Sequence, residues 1–467
     1  MRVVVAGQGR VGLPLAVRAA EVGHRVVGYD VDEGRIKRLT AGGSCVEDVP
    51  AARLRPLLES GAYRPSTDPA DVEGFEVALI TVPVPLRDGA PDLSLVESSA
   101  RLLARHLRPG ATVVLESTSY PGTTEELLAP LLEEGSGLTA GRDFHLGCSP
   151  GRIDQGDPAR RLENTPKVVS GLGPAALAAV DAFYRRLVER TVPVSSCCQA
   201  ELTQLLECGF RQVNTALVNE LAMFAHDLGL DLREAIDAAA TRPFGHLRPT
   251  PGPGAGGPCL PIDPGFLPWR AERALGQSFR LVELANEVNG RMPDYVVRRL
   301  TAALAERGRP VRGARILLFG AADGGSAGDA GVTPVARIVE LLTRAGAEVR
   351  AADPDAVTDP YAADDPYAAD DPCAAGEPYA AGDPYAVAGP GLPEPVLPRR
   401  PAAGQQPDAG PSGAVPRVAA TPGELAAADA VVLLTEHPEF DLPAVTTHAR
   451  YVLDCRRRPA GATVEVL

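Results

Sequence analysis

Met1-Arg-Val-Val-Val-Ala-Gly7-Gln-Gly9-Arg-Val-Gly12 opens this 467-residue chain. Its three consecutive valines predict a buried strand, which runs directly into a Gly-x-Gly-x-x-Gly turn. Apolar residues then recur at helical spacing from Leu13 to Val22, and Gly23 predicts the end of that helix. A strand, a glycine turn and a helix in this order predict a Rossmann-type nucleotide-binding unit.

Each glycine of the turn has its own predicted role. Gly7 makes the tight turn, Gly9 lets a pyrophosphate approach the backbone, and Gly12 lets the helix pack on the strand. The second strand, Arg25 to Tyr29, ends in Asp30, whose carboxylate can bind a ribose 2′-hydroxyl. Because this carboxylate would repel a 2′-phosphate, the sequence favours NAD over NADP. A Rossmann-like unit that binds another nucleotide, or none, is the alternative.

The composition limits the class of protein. The net charge of −14 argues against nucleic acid or an anionic membrane as a partner. None of the eight cysteines forms a Cys-x-x-Cys pair, so no metal site is predicted. The chain begins with a strand rather than a leader-like segment, and it has no apolar run of ~18 residues. We therefore expect a cytoplasmic protein.

The order of the predicted elements indicates an α/β protein with two Rossmann-like domains, each with a parallel sheet, joined by a long-helix central segment. Strands and helices alternate through residues 1–194, the expected NAD-binding domain. Residues 195–308 read as helices, and Ser195 or Ser196 can cap a long one that Gly229 ends. A helix of this length between two α/β halves is typical of a dimer scaffold or a domain strut.

A second Rossmann-like domain is expected from residues 309–353 and 417–467. Between its two parts, hexapeptides of the type Asp-Pro-Tyr-Ala-Ala-Asp repeat. A segment biased toward Pro, Ala and Asp buries too little apolar surface to offset its ordering entropy, so residues 354–416 are predicted to be a disordered insert. A docking segment for a partner is the alternative.

A second informative stretch surrounds Cys259, in Pro251-Gly-Pro-Gly-Ala-Gly-Gly-Pro-Cys-Leu-Pro-Ile-Asp263. Its glycines allow a ligand to approach the backbone closely, and its prolines exclude a helix. A single thiol here, with Asp263 four residues on, is typical of a nucleophile that attacks an electrophilic carbon. An incidental cysteine in a surface loop is the alternative.

Together these motifs resemble the UDP-glucose/GDP-mannose dehydrogenase family, nearest the branch that oxidises UDP-N-acetylmannosamine. The matching segments are Gly7 to Ala16, Val82 to Pro85, Pro91 to Ser94, Glu116 to Glu125, Phe210 to Ala222, Thr241 to Gly245, the Cys259 loop and Thr435 to Phe440. The resemblance implies a homodimer that oxidises the C6 alcohol of a nucleotide-sugar to a carboxylate with two NAD, and it favours a UDP-sugar as that substrate.

The resemblance also implies roles for individual residues. Cys259 matches the nucleophile, Asp263 a carboxylate that handles protons, and Thr118 a residue that positions water near the cofactor. Gln204 stands at the position that contacts the C6 oxygen. Cofactor contacts are expected from Gly7, Gly9, Arg10, Val11, Gly12, Asp30, Arg35, Val82, Pro83, Ser117 and Thr118. Substrate contacts are expected from Arg211, Asn214, Gly254, Gly256 and Gly257.

Several site positions depart from the family pattern. Gln204 and Cys208 replace a lysine and an asparagine, and Gly151 replaces a glutamate. Pro258 replaces a histidine, and in the second domain two glycines, Gly324 and Gly331, replace a lysine and an arginine. Three outcomes stay open: a dehydrogenase with altered efficiency or specificity, a non-catalytic paralogue that binds NAD or nucleotide-sugar as a partner or regulator, and an enzyme that performs only the first hydride step.

Overall fold

The chain divides into two compact units, Met1–Met292 and Pro293–Leu467. This computed structural model describes residues 1–44, 46, 48–87, 89–152, 161–242, 249–254, 263–321, 333–352, 415–435, 440–456 and 464–467. All but the last two residues of the predicted insert, 354–416, lie outside these ranges. The domain boundaries at 194 and 308 stay predictions.

The first unit is built on a six-stranded parallel sheet with the order β3-β2-β1-β4-β7-β8. The strands of this unit are β1 (Arg2–Ala6), β2 (Arg25–Tyr29), β3 (Tyr63–Ser66), β4 (Val77–Ile80), β5 (Leu86–Arg87), β6 (Ala90–Pro91), β7 (Thr112–Leu115), β8 (His145–Cys148), β9 (Lys167–Val169) and β10 (Thr191–Pro193). Within β1, Val3 and Val5 belong to one apolar cluster and Val4 to another. Successive side chains point to opposite faces, so both faces of this sheet are buried, which is why the strand reads as an unbroken apolar run.

Helices cover both faces of the sheet. The helices of the first unit are α1 (Gly12–Glu21), α2 (Glu33–Thr40), α3 (Ala51–Glu59), α4 (Ser94–Ala104), α5 (Ala129–Ser136), α6 (Pro174–Tyr184), α7 (Cys197–Asp227), α8 (Leu232–Ala240), α9 (Asp263–Leu275) and α10 (Arg280–Gly290). Residues of α1, α3 and α6 pack in the cluster that contains Val3, whereas α4 and α5 pack in the cluster that contains Val4. This two-sided arrangement is the doubly wound α/β fold.

Helix α7 is the long helix that the sequence predicts. Ser196 caps it, because its side chain accepts a hydrogen bond from the backbone of Gln199 at 3.2 Å. Gly229 follows its end with φ of 67°. Leu205 of α7 packs in the same buried cluster as Phe266 of α9, which joins the central helices to the sheet. α7 to α10 therefore belong to the first unit.

The second unit contains a five-stranded parallel sheet with the order β12-β11-β13-β14-β15. Its elements are α11 (Met292–Glu306, which begins at the last residue of the first unit), β11 (Arg315–Phe319), α12 (Pro334–Arg344), β12 (Glu348–Ala352), α13 (Pro422–Ala427), β13 (Ala430–Leu433), α14 (Leu442–His448), β14 (Val452–Asp454) and β15 (Val464–Val466). The predicted α/β class, with parallel sheets and a helical central segment, is confirmed. No helix in the described ranges has the length and apolar character to span a membrane.

Candidate active site

The glycine turn after β1 has the geometry of a dinucleotide cradle. Gly7 has φ of 96°, a left-handed conformation that favours glycine. A Cβ on Gly12 would lie 1.9 Å from the Gly7 carbonyl oxygen, so α1 can approach the strand only because Gly12 has no side chain. A Cβ on Gly9 would meet no atom within 4 Å. Gly9 thus leaves open space beside the first turn of α1, where helix amides can bind a pyrophosphate.

Asp30 lies at the carboxyl end of β2, and its side chain is 6% exposed. Its Oδ2 accepts hydrogen bonds from the Gln8 backbone at 2.7 Å and from Arg35 Nη1 at 2.9 Å. Its Oδ1 accepts one from the Asp32 backbone at 3.1 Å. These bonds fix the carboxylate at the edge where the sequence expects a ribose, and they bring Arg35 to the same place. The Asp30 carboxylate fits the hydroxyl groups of the adenosine ribose of NAD, and the glycine turn fits the pyrophosphate.

Gln8 is a structural residue that the sequence reading missed. Its side chain is fully buried beneath the glycine turn, where Nε2 donates to the Val5 carbonyl at 2.8 Å. Tyr63 donates its hydroxyl to Gln8 Oε1 at 2.8 Å. A Cβ on Gly28 would lie 2.5 Å from that same oxygen. The polar residue between Gly7 and Gly9 was the only hint of this role in the sequence. Its partner Tyr63, on β3, is brought to it by the fold.

The loops after β4 and β7 lie together at the carboxyl edge of the sheet. Ser117 donates its hydroxyl to the Val82 carbonyl at 2.7 Å, and Thr81 donates to the Gly7 carbonyl at 2.9 Å. Pro83, next in the loop, is exposed. The structure therefore brings Val82 and Ser117 together, close to the glycine turn. This is the edge at which ligands of doubly wound sheets bind.

Gln204, Thr118 and Gly151 meet at this edge. Gln204 Nε2 lies 2.8 Å from Thr118 Oγ1 and 3.3 Å from the Gly151 carbonyl oxygen. A Cβ on Gly151 would lie 3.4 Å from Val11 Cγ1, so this group adjoins the first residues of α1. The loops after β1, β7 and β8 and the helix α7 thus meet in one small region. We call Val11, Thr118, Gly151 and Gln204 the convergence cluster.

Glu201, one turn before Gln204 on α7, is a buried carboxyl group that the sequence reading did not single out. It accepts hydrogen bonds from the backbone of Gly122 at 2.6 Å and of Thr124 at 2.8 Å, and from the Thr124 hydroxyl at 2.6 Å. Burial raises its pKa to about 7, although the bonds from Thr124 and Gly122 act in the opposite direction. Glu201 therefore fixes the turn that follows Thr118.

The expected substrate residues on α7 lie farther along the helix. Arg211 is seven residues beyond Gln204, ~10 Å along the axis and on a similar face, and it is exposed. Asn214 is half-buried, and its Nδ2 donates to the Phe210 carbonyl at 2.6 Å. Their substrate roles stay predictions.

Cys259, Gly256 and Gly257 lie outside the described residues, and so does the side chain of Asp263. Both flanks of this stretch are anchored in the first unit. On one side, the Gly252 backbone donates to Asn219 Oδ1 of α7 at 2.9 Å, and Gly254 is buried with φ of 136°. On the other side, Trp269 of α9 lies with its ring 5.0 Å from that of Tyr120. Helix α9, which Asp263 begins, thus packs beside the loop that carries Thr118.

Across the part of the chain that the structure describes, no group of three or more His, Cys, Asp or Glu residues could hold a metal ion. Geometry and fold define a dinucleotide-binding protein. Residues 1–188 match the NAD binding domain of the UDP-glucose/GDP-mannose dehydrogenase family, and residues 198–291 match the central domain of that family.

Similar proteins extend this match. The UDP-N-acetyl-D-mannosamine dehydrogenase of Pyrococcus horikoshii is 36% identical over 76% of this chain and 84% of its own length. The UDP-N-acetyl-D-glucosamine 6-dehydrogenase of Pseudomonas aeruginosa is 35% identical over 76% of this chain and 83% of its own. A solved structure of the Pyrococcus horikoshii UDP-D-ManNAc dehydrogenase has a TM-score of 0.77 at 28% identity and covers 100% of this chain and 98% of that one.

The chain belongs to the UDP-glucose/GDP-mannose dehydrogenase family. It is an NAD-dependent nucleotide-sugar dehydrogenase, as its sequence predicts. The residues that fit NAD are the glycines of the turn, with their open space at Gly9, and the fixed carboxylate of Asp30.

Proposed function

We propose that the protein oxidises the C6 alcohol of a UDP-sugar to the carboxylate, with Cys259 as the nucleophile of the second oxidation. The convergence cluster is the observation that carries this proposal, because it places Thr118 and Gln204 beside the cofactor turn. The names of the relatives point to an N-acetylated hexosamine linked to UDP as the sugar. The anchored flanks of the Cys259 segment, at Asn219 and α9, support its assignment to the same site.

The proposed reaction proceeds in three balanced stages. Removal of a hydride and a proton from the C6 alcohol gives an aldehyde. NAD, when bound, would supply the hydride acceptor, with one NAD consumed in each of the two oxidations. The Cys259 thiolate adds to the aldehyde carbon, and loss of the second hydride from this thiohemiacetal leaves a thioester. Water then attacks the thioester carbon, which releases the carboxylate and restores the thiol. Asp263 accepts the released protons one at a time and passes them to solvent, and Thr118 orients the water.

The convergence cluster carries no formal charge near the developing alkoxide. Gln204 is neutral, and Gly151 supplies only a backbone carbonyl. Removing one donor from an oxyanion site typically slows a reaction by ~10²–10³-fold. We therefore expect altered efficiency: a kcat well below the usual ~10 s⁻¹ of enzymes.

We also propose that the protein is a homodimer joined through α7. Large apolar side chains recur along one stripe of this helix yet are exposed: Leu202, Leu206, Phe210, Leu217, Leu221, Phe224 and Leu228. Nearby segments expose Leu275, Phe279, Leu281 and Leu284. A contiguous apolar surface of this kind is costly in water, and burial against a second copy would remove the cost.

The stoichiometry of the reaction tests the proposed function. UDP-N-acetylmannosamine and UDP-N-acetylglucosamine are each incubated with NAD, and NADH, aldehyde and uronate are quantified. We expect two NADH per sugar oxidised, and a loss of more than ~1,000-fold in kcat for uronate in Cys259→Ser. Cys198→Ser, at the start of α7, is the matched control and retains activity. One NADH per sugar with free aldehyde would limit the enzyme to the first step, and NAD binding without turnover would indicate a non-catalytic paralogue.

A further inference from the structure

A buried ion pair lies directly behind the convergence cluster, and the proposed reaction does not use it. The side chains of Lys167 on β9 and Glu116 after β7 are 3% and 1% exposed, with Nζ 2.5 Å from Glu116 Oε2. Tyr184 of α6, fully buried, donates its hydroxyl to the other carboxylate oxygen of Glu116. Burying two charges costs several kcal/mol per ion, so such a pair is weak evidence of a purely stabilising role.

The remaining hydrogen bonds of Lys167 indicate what the pair does. Nζ donates to the Pro150 carbonyl at 2.8 Å and to the Ser149 carbonyl at 3.2 Å. The ammonium group therefore holds two consecutive carbonyls of the chain that leads into Gly151. Arg152 fixes the other side of Gly151, because its Nε donates to Glu207 of α7 at 3.1 Å. The Gly151 carbonyl is thus held from both sides.

That carbonyl determines the orientation of the Gln204 carboxamide. A carbonyl oxygen can only accept, so the amide group 3.3 Å from it must be the nitrogen of Gln204. The same nitrogen donates to Thr118 Oγ1, which occupies both of its hydrogens. The carboxamide oxygen is what remains, and no donor reaches it from the residues that the structure describes. The cluster therefore offers a ligand an acceptor at this position.

We propose that Lys167 is a positioning residue of the active site: through Ser149, Pro150 and Gly151 it orients Gln204 so that Oε1 accepts a hydrogen bond from the C6 hydroxyl of the sugar. The inference rests on the proposed function, because it requires the sugar C6 to reach the convergence cluster. Its consequence is a preference for a C6 group that can donate a hydrogen bond over one that cannot.

A pair of ligands tests this preference without turnover. The dissociation constants of UDP-N-acetylmannosamine and its 6-deoxy-6-fluoro analogue are measured by calorimetry, because fluorine resembles a hydroxyl in size but donates no hydrogen. We expect the wild-type protein to bind the hydroxyl sugar roughly 3- to 10-fold more tightly. Gln204→Met reduces this ratio to about 1, whereas Gln199→Met, the same change at an exposed position of α7, leaves it intact.

Lys167 is tested with Lys167→Met and Glu116→Gln combined, so that no single charge stays buried. We expect a folded protein whose hydroxyl-to-fluoro ratio also falls to about 1. A variant with lowered thermal stability but an unchanged ratio would show that the pair is structural only. If Gln204→Met still binds the UDP-sugar and its hydroxyl-to-fluoro ratio is unchanged, the acceptor role of Gln204 is overturned while the proposed function stands. Failure of both ligands to bind the wild-type protein would overturn the proposed function and this inference with it.

Discussion

Gly12 lies so close to Gly7 that a single added carbon on it would fall 1.9 Å from the Gly7 carbonyl oxygen. The second nearest atom, Thr81 Oγ1, would be 2.4 Å away and is itself hydrogen-bonded to that carbonyl. Moving the Gly7 carbonyl would displace the turn after β1, and moving the Thr81 hydroxyl would break its hydrogen bond to that carbonyl. Gly9, three residues earlier, has no neighbour at all within 4 Å of its would-be Cβ. Gly12 is therefore required by the fold, whereas Gly9 is required by the ligand.

Alanine at these two positions should separate stability from cofactor binding. Gly12→Ala overpacks the strand–helix contact, and we expect the free energy of unfolding to fall by about 3 kcal/mol, measured by urea denaturation. Gly9→Ala should unfold like the wild type but bind NAD at least ~10-fold more weakly, measured by calorimetry, because its methyl group occupies pyrophosphate space. Equal NAD affinity in Gly9→Ala would contradict this placement of the cofactor.

Cofactor choice should depend on Asp30. Replacing it with serine removes the buried carboxylate that accepts from the Gln8 backbone, and it releases Arg35 to face a 2′-phosphate. We expect Asp30→Ser to lower the preference for NAD over NADP by more than ~10-fold, because it removes a charge-assisted bond and a like-charge repulsion. The ratio of kcat/KM with NAD to kcat/KM with NADP measures this preference.

Asp32→Ser is the matched control for that change. Asp32 caps α2 by accepting a hydrogen bond from the Arg35 backbone at 2.9 Å, and serine can also cap a helix. The cofactor ratio should stay within about threefold of wild type. An equal effect at both positions would show that the general loss of negative charge, rather than the ribose contact, sets the preference.

Glu201 should make stability depend on pH. Burial, the largest cause, raises its pKa from 4.5 to about 7 in the folded state. The folded protein therefore binds more protons than the unfolded chain between these values. This contribution to stability is fully present below pH 4.5 and is lost as the pH rises through about 7. Its size is at most about 3 kcal/mol.

The Glu201 contribution can be isolated by difference. The free energy of unfolding is measured by urea denaturation from pH 5 to pH 8 in the wild type and in Glu201→Gln, which cannot titrate. We expect the wild type to lose more stability than the variant across this range. His24, which is buried and has a lowered pKa, affects both proteins alike. Parallel curves would show that Glu201 stays ionised in the fold.

The exposed stripe of α7 should control the oligomeric state. Leu217 is 55% exposed and Phe224 is 59% exposed. We expect Leu217→Glu with Phe224→Glu to convert the dimer to a monomer in sedimentation experiments, because two carboxylates cannot be buried unpaired. Gln199→Glu, at the exposed start of the same helix, should remain dimeric. A wild-type protein that sediments as a monomer at micromolar concentration would contradict the proposed dimer.

The local elements were largely predictable from the sequence. The bounds of β2, Arg25 to Tyr29, agree with the prediction, and Ser196 and Gly229 delimit α7 as expected. These predictions succeed because helical periodicity, caps and glycine turns depend on residues close together in sequence. The exposure of the apolar residues on α7 was not predictable, since periodicity does not distinguish a face packed within the subunit from one left for a partner.

Within the site, the sequence identified Gln204 and Thr118 through a resemblance but could not place them in contact. They are separated by 86 residues and meet because β7 and β8 end, and the first turns of α7 lie, at one edge of the sheet. The pair of Lys167 and Glu116, 51 residues apart, escaped the sequence reading, because a lysine or a glutamate in a chain reads as a surface residue.

The sequence by itself determined the cofactor turn, the carboxylate that follows β2 and the order of helices and strands, because each is a property of a short stretch of chain. Only the tertiary structure decided which polar groups share the site and which way they point. The orientation of the Gln204 carboxamide depends on the Gly151 carbonyl, and Lys167 on a separate strand binds the two carbonyls that precede it in the chain. Hydrogen-bond direction is set by geometry across strands, and no local pattern encodes it.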